Sequence, residues 1–280
     1  MTLRLRDASR SARALLAGAV LFVAACGGST AAPPSSGTPA SSASSGSSAT
    51  PQLAGTTRTV LTQLGLNMHS DASRSAPVVG VLGQGAQVTV LDYRASDGGW
   101  FKVQGQTVTG WIVGDPTLTA AGALTSYSST DRGFSLLYPS TWTFAEEPAD
   151  TLFRPQSTGQ QSLVVRVAGS IAALGQPVPP GYASTYSNQE IVCGYTGELV
   201  EYQRASGASA PASPNIAGSS ARWLSRYAQI RLTFDSMHAM ELAFNYENQS
   251  DLDTFADAYN SISFPYPLCQ APQSPAPMPT

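Results

Sequence analysis

Charge is scarce in this sequence. Only 12% of its 280 residues are Asp, Glu, Lys or Arg, and the formal net charge is -3. Scattered cations on an acidic chain make no basic stripe to neutralise phosphates, which argues against a nucleic-acid partner and against polybasic attraction to anionic lipid. Histidine is scarcer, with His69 and His238 alone. The three cysteines, Cys26, Cys193 and Cys269, are far apart, so no His/Cys set at metal-ligand spacing can be assembled and no metal is expected. No Gly-x-Ser-x-Gly elbow occurs, and no Gly-rich phosphate loop precedes a helix. The nearest following cation to Cys193 is Arg204, a poor arrangement for stabilising a thiolate. The expectation is a protein with no catalytic residues and no cofactor. Long apolar runs are also missing. The uncharged stretch Ala14 to Ala25 falls short of the roughly 20 residues that span a bilayer as a helix.

That stretch has a different use. Arg4, Arg6, Arg10 and Arg13 precede it, against Asp7, which makes a basic n-region and an apolar h-region. It closes on Val23-Ala24-Ala25-Cys26. This ending resembles the lipobox of bacterial lipoprotein signals. The resemblance implies a signal peptide over 1–25, diacylglyceryl attachment to Cys26 and acylation of the new terminus by a chain such as palmitate. Two or more chains hold a protein firmly where one holds it only reversibly. The expected location is the cell membrane, lipid-anchored, on the extracytoplasmic side. Losing four arginines and one aspartate takes the net charge from -3 to -6. If Cys26 carries lipid, Cys193 and Cys269 remain in an oxidising compartment, as one disulfide or as two unpaired thiols.

Residues 26–52 lack both charge and aromatic rings, and Gly27 to Pro51 is Gly, Ser, Thr, Ala and Pro. Such composition cannot form a core and reads as a flexible linker, with a reach of about 25–30 Å. From Thr56 short apolar runs alternate with Gly-rich turns, the pattern of a small all-β barrel. Leu66-Asn67-Met68, Val78 to Leu82, Gly85 to Leu91, Gly98-Gly99-Trp100-Phe101-Lys102-Val103 and Thr109-Gly110-Trp111-Ile112-Val113 follow one another. In that order they resemble the bacterial SH3-like domain throughout Thr56 to Thr119, and the module is placed at 54–119. Where such domains usually read Leu-Asn-Val-Arg, this chain has Leu66-Asn67-Met68-His69. Either Trp100 and Trp111 are both structural, or part of Trp100, with Tyr93, lines a groove for a peptide or glycan. The resemblance implies cell-wall ligands in some members and no catalytic residues.

After a small-residue connector, Leu118 to Leu124, a second module is expected over 125–269, followed by a Pro-rich tail at 270–280. Strands are predicted at Phe134–Tyr138, Trp142–Phe144, Leu152–Phe153, Leu163–Val167 and Ile191–Tyr202. Ile171 to Tyr186, broken by Pro177, Pro179 and Pro180, reads as mostly loop or short helix. Arg222–Phe234 and Met237–Tyr246 form a hairpin through Asp235-Ser236, and Ser206–Ser220 is a low-complexity insertion. Leu252, Phe255, Ala256 and Tyr259 then recur at helical spacing behind a Ser250 cap. Glu146-Glu147 and Asp150 read as a solvated acidic patch. The order implies an α+β layer, one antiparallel sheet with a packed C-terminal helix. Gly133 to Trp142 at one end and Asp253 to Phe264 at the other resemble the start and finish of the PsbP-like fold. The functional expectation is a non-enzymatic binding or scaffold lipoprotein. Two alternatives stand beside it, a cell-wall binding or sensing accessory and a small-molecule or lipid carrier using a cavity between helix and sheet. The protein partner is not named by the sequence.

Overall fold

The computed structural model describes residues 53–269, apart from 106, 157–160, 176–177, 179–180 and 210–221. Cys26, the leader, the linker, most of the Ser206–Ser220 insertion and the tail lie outside the described residues. The first module contributes β1 (Thr57–Val60), β2 (Leu66–His69), β3 (Val78–Leu82), β4 (Gln87–Arg94), β5 (Trp100–Gln104), β6 (Thr109–Val113) and β7 (Thr119–Ala121). They form one antiparallel sheet in the order β3-β2-β6-β5-β4-β1-β7. Val60, Leu66, Met68, Val88, Val90, Phe101, Val103 and Ile112 are its core. The expected connector is partly a strand: Thr119-Ala120-Ala121 pairs with Val60-Thr59-Arg58 as β7. Its small side chains hid it, since strand pairing needs the backbone and not apolar bulk.

The second module opens with a ribbon of β8 (Leu124–Ser129) and β9 (Phe134–Pro139). It continues through β10 (Trp142–Glu146), β11 (Asp150–Pro155), β12 (Ser162–Ala168), β13 (Tyr182–Val192), β14 (Tyr195–Arg204), β15 (Arg226–Thr233) and β16 (Ala239–Tyr246). These make a second antiparallel sheet, β10-β11-β12-β16-β15-β14-β13. Helix α1 (Leu252–Ser261) follows. A 3-10 turn, Gln249–Asp251, leads into it, closed by a capping box in which the Asp251 carboxylate accepts the Asn248 N–H at 3.2 Å; the N-cap of α1 itself is Asp251, one residue after the expected Ser250. Phe255 stacks on Phe244 with ring centroids 5.7 Å apart, and Ala258 and Tyr259 are buried beside it. Phe244, Phe255, Leu242 and Ile230 are all buried in the core shared by helix and sheet. Beyond the helix, Ser263 makes a single antiparallel bridge with Ser135.

Two sequence expectations fail around β13. Among the described residues of 171–186, the 3-10 turn at Ala172–Leu174 fits the expected short helix, but the strand already begins at Tyr182, inside the stretch read as loop or short helix. The strand expected across Cys193 is interrupted there, because Val192 faces Tyr195 and Cys193-Gly194 is a two-residue hairpin turn. Both residues have positive φ, 49° and 84°, as a primed turn requires. A side chain at position 194 would also stand 2.5 Å from the Leu268 carbonyl oxygen, so glycine is required twice over.

The sheet face turned away from α1 carries a row of charge. Asp150 pairs with Arg166, Arg166 with Glu241, Glu241 with Arg231 and Arg231 with Glu198, across five adjacent strands at one register. Arg166 Nε donates to Asp150 Oδ1 at 2.7 Å and Nη2 to Oδ2 at 3.1 Å. Arg231 Nε donates to Glu241 Oε2 at 2.6 Å. Burial raises the Glu241 carboxyl above its ordinary range, against the pull of Arg231. Asp150 is fully buried, so the acidic patch expected at Glu146, Glu147 and Asp150 is corrected: Asp150 belongs to an interior ion-pair row. Glu146 instead accepts the Tyr127 hydroxyl at 2.7 Å.

The two modules meet at the C-terminal end of α1. Gln84 Nε2 donates to the carbonyls of Leu61 and Ser261, both at 2.8 Å, Gln63 Nε2 to that of Ile262 at 3.0 Å, and Gln87 Nε2 to that of Leu124 at 2.9 Å. Leu61, Ala120, Leu124 and Leu137 bury a small apolar cluster between them. Asp257 on α1 faces Arg58 of β1 through space. Burial, then the neighbouring Asp253, pushes its carboxyl up to about 7. The folded state thus holds a proton that the unfolded chain releases near pH 4, and stability falls as pH rises from about 4 to 7. Asp257→Asn is expected to flatten that slope in urea titrations and to gain roughly 1–3 kcal/mol at pH 8, a discounted share of about 1.4 kcal/mol per unit. An unchanged slope would remove Asp257 from the pH dependence.

Candidate functional site

The first module's sheet has two different faces. On one, Tyr93 packs against Phe101 with centroids 5.5 Å apart, over the main core. On the other, Trp100 and Trp111 bury with Ala72. Tyr93 and Trp100 therefore do not line one groove, which corrects the sequence expectation. The reason is local. Val90 faces Val103 but Asp92 faces Lys102, so Leu91 is an extra residue in β4, a β-bulge. Counted straight on from Val90 and Val103, Tyr93 would have faced Trp100. The bulge shifts the register by one, and a one-residue shift sends every later side chain to the other face. Trp100 is also only 1% exposed and has no open ring face to offer a ligand.

What the second face presents to solvent is a cation held over an aromatic ring. The Arg94 guanidinium lies 4.4 Å above the Trp111 ring, and Asp71 binds it at 2.6 Å. Asp71 has its carboxyl held below the usual range, first by the Ala72 N–H and then by Arg94. His69 stands edge-on to Trp100 at 5.5 Å, with Nδ1 2.8 Å from the Ala76 carbonyl oxygen. The residue that departs from the usual arginine of the first motif thus braces the loop over the tryptophans. The exposed polar groups of this face are thus a guanidinium and a carboxylate held to each other, and Lys102 is the cross-strand neighbour of Trp111. Nothing in it resembles a nucleophile with a base.

Residues 64–115 match the family model of the bacterial SH3 domain. The Arg94–Trp111 face and the Tyr93–Phe101 core both lie inside this SH3 domain. No curated protein matches the chain. Among solved structures, the solution structure of cyanobacterial PsbP (CyanoP) from Synechocystis sp. PCC 6803 is similar over 50% of this chain and 92% of that one, at 15% identity and a TM-score of 0.33.

A second concavity lies where the SH3 domain meets the rest of the chain. Thr62, Gln63, Leu64, Thr117 and Leu118 face Cys193, Asn260, Ile262, Leu268 and Cys269 around a cleft of about 260 Å³. Cys193 and Cys269 are joined by a disulfide, with Cα atoms 4.6 Å apart. Gln63 Nε2 lies 3.3 Å from Cys193 Sγ, and the Phe264 N–H points at Cys269 Sγ from 3.0 Å. In sequence this pair was one of two readings, and it depended on setting Cys26 aside for lipid. The cleft was not legible, because its walls are separated by about 75 residues or more of chain. No group of three or more His, Cys, Asp or Glu placed to hold a metal occurs among the described residues.

Proposed function

We propose that this protein is a lipid-anchored envelope protein that binds cell-wall peptide or glycan through its SH3 domain and performs no catalysis. The match of residues 64–115 to the bacterial SH3 domain carries this reading. The exposed Asp71–Arg94–Trp111 arrangement supports it, since a guanidinium fixed in place by a carboxylate and a ring is ready to meet carboxylate or amide groups of a wall peptide. Val23-Ala24-Ala25-Cys26 supports the anchor, and the uncharged run behind it supplies reach.

The full chain is expected to sediment with purified cell-wall sacculi. Arg94→Ala is expected to lower the retained fraction about tenfold, equivalent to about 1.4 kcal/mol. Arg94 is half exposed, so its loss leaves the fold intact. No retention above a bead control, or equal retention of the variant, would defeat the reading or move it to another face. Cys26→Ala is expected to abolish incorporation of labelled palmitate and to release the protein from membranes.

A further inference from the structure

The cleft between the modules has a chemistry of its own. None of its ten lining residues carries a formal charge. A charged ligand group taken into such a site would lose its hydration with no counter-ion to replace it. Four of the ten, Thr62, Gln63, Thr117 and Asn260, are polar, which is too many for a hydrocarbon chain. No aromatic ring lines it, so a sugar has nothing to stack on. Gln63 uses its Nε2 on Ile262 O, and its Oε1 has no hydrogen-bond partner among the described residues. Thr62 Oγ1 and the Asn260 amide have no hydrogen-bond partner among the described residues. Together these offer an acceptor, a hydroxyl and a full carboxamide, the complement of a peptide main chain. Leu64 and Leu268 form apolar lips, 64% and 62% exposed. The volume is roughly that of nine liquid waters, enough for about two or three small residues.

We infer that this cleft is a composite site for a short uncharged peptide segment, made of small residues, from a partner. Both modules are needed to form it. The disulfide holds Leu268 and Cys269 in its wall, with Gly194 seated directly against Leu268. The site lies apart from the Arg94 face and does not rest on wall binding, so sacculus retention and peptide binding can fail separately.

The test is two-dimensional NMR of the isotope-labelled full chain, titrated with acetyl-Ala-Gly-Ala-amide to about 5 mM, a range that captures millimolar affinity. Shifts are expected at Gln63, Leu64, Asn260 and Leu268, including the Asn260 side-chain amide. The same peptide with a central Asp or Lys is expected to bind at least about tenfold more weakly. Leu64→Asp, at an exposed position, and Asn260→Leu are each expected to weaken binding by a similar factor, with the rest of the spectrum unchanged. If Asn260→Leu does not fold, Leu64→Asp decides alone. The inference is overturned by any of three results: no shifts at the cleft, equal binding of the charged peptides, or shifts at the cleft with a di-N-acetylchitobiose probe and none with the peptide.

Discussion

Arg166→Met is expected to destabilise the protein by about 3–5 kcal/mol, the usual effect of removing one partner from a buried ion pair. Asp150 has no exposed side-chain surface, and Arg166 grips it through two nitrogens. Arg166 also reaches the Leu174 carbonyl at 3.3 Å, which ties the 3-10 turn to the sheet. Glu241 keeps Arg231 when Arg166 is lost, so the uncompensated charge falls on Asp150. Urea unfolding would measure the loss. Combining Arg166→Met with Asp150→Leu is expected to recover more than half of it, because two apolar side chains of similar volume need no counter-charge. A single variant costing under about 1 kcal/mol would mean that the row behaves like surface pairs.

Replacing both Cys193 and Cys269 by Ser is expected to cost about 4 kcal/mol by the chain-entropy account, since the bond closes 76 residues of sequence. For a domain of this size that lowers the melting temperature by about 10 °C. Gln63→Ala, which removes a single clamp onto Ile262 and the sulfur, is expected to cost only about 1 kcal/mol. A thermal scan with and without dithiothreitol separates the two. If reductant leaves the wild-type melting temperature unmoved, the bond contributes nothing to holding the loop. The loop contains β14, β15, β16 and α1, so the reduced chain must close four elements without help.

Much of this fold can be read from the sequence where one strand suffices. The hairpin through Asp235-Ser236, the helical spacing from Leu252 to Tyr259 and the Gly-rich turns of the first module all show in local pattern. What stays hidden depends on register between strands. Leu91 gives no sign in sequence that it is an extra residue, yet it decides whether Tyr93 shares a face with Trp100. Asp150 looks like a neighbour of Glu146 and Glu147 until Arg166 and Glu241 are known to stand beside it. One clue was available. Glu241 lies inside Ala239–Tyr246, a strand in which all eight residues are buried, and a charge in such a run implies a partner. Cys193-Gly194 offered another, since a glycine in mid-strand marks a break. The residues of the cleft offered none, because threonine, glutamine and asparagine in separate loops have no pattern until the fold brings them together.

The strand order of the first sheet has a mechanical consequence. β1 is hydrogen-bonded on both edges, to β4 and to β7, whereas β3 is held on one. Thr59 adds a further bond to the Gly122 carbonyl at 2.7 Å. Tension on the chain ahead of residue 53 therefore enters through an interior strand and loads two antiparallel ladders lengthwise, in shear, so that their bonds must give way together. The same pull on a terminal strand, applied crosswise, would open bonds one after another. With the tether proposed at Cys26, the segment that takes the strain of a wall-bound protein is the one the sheet grips from both sides.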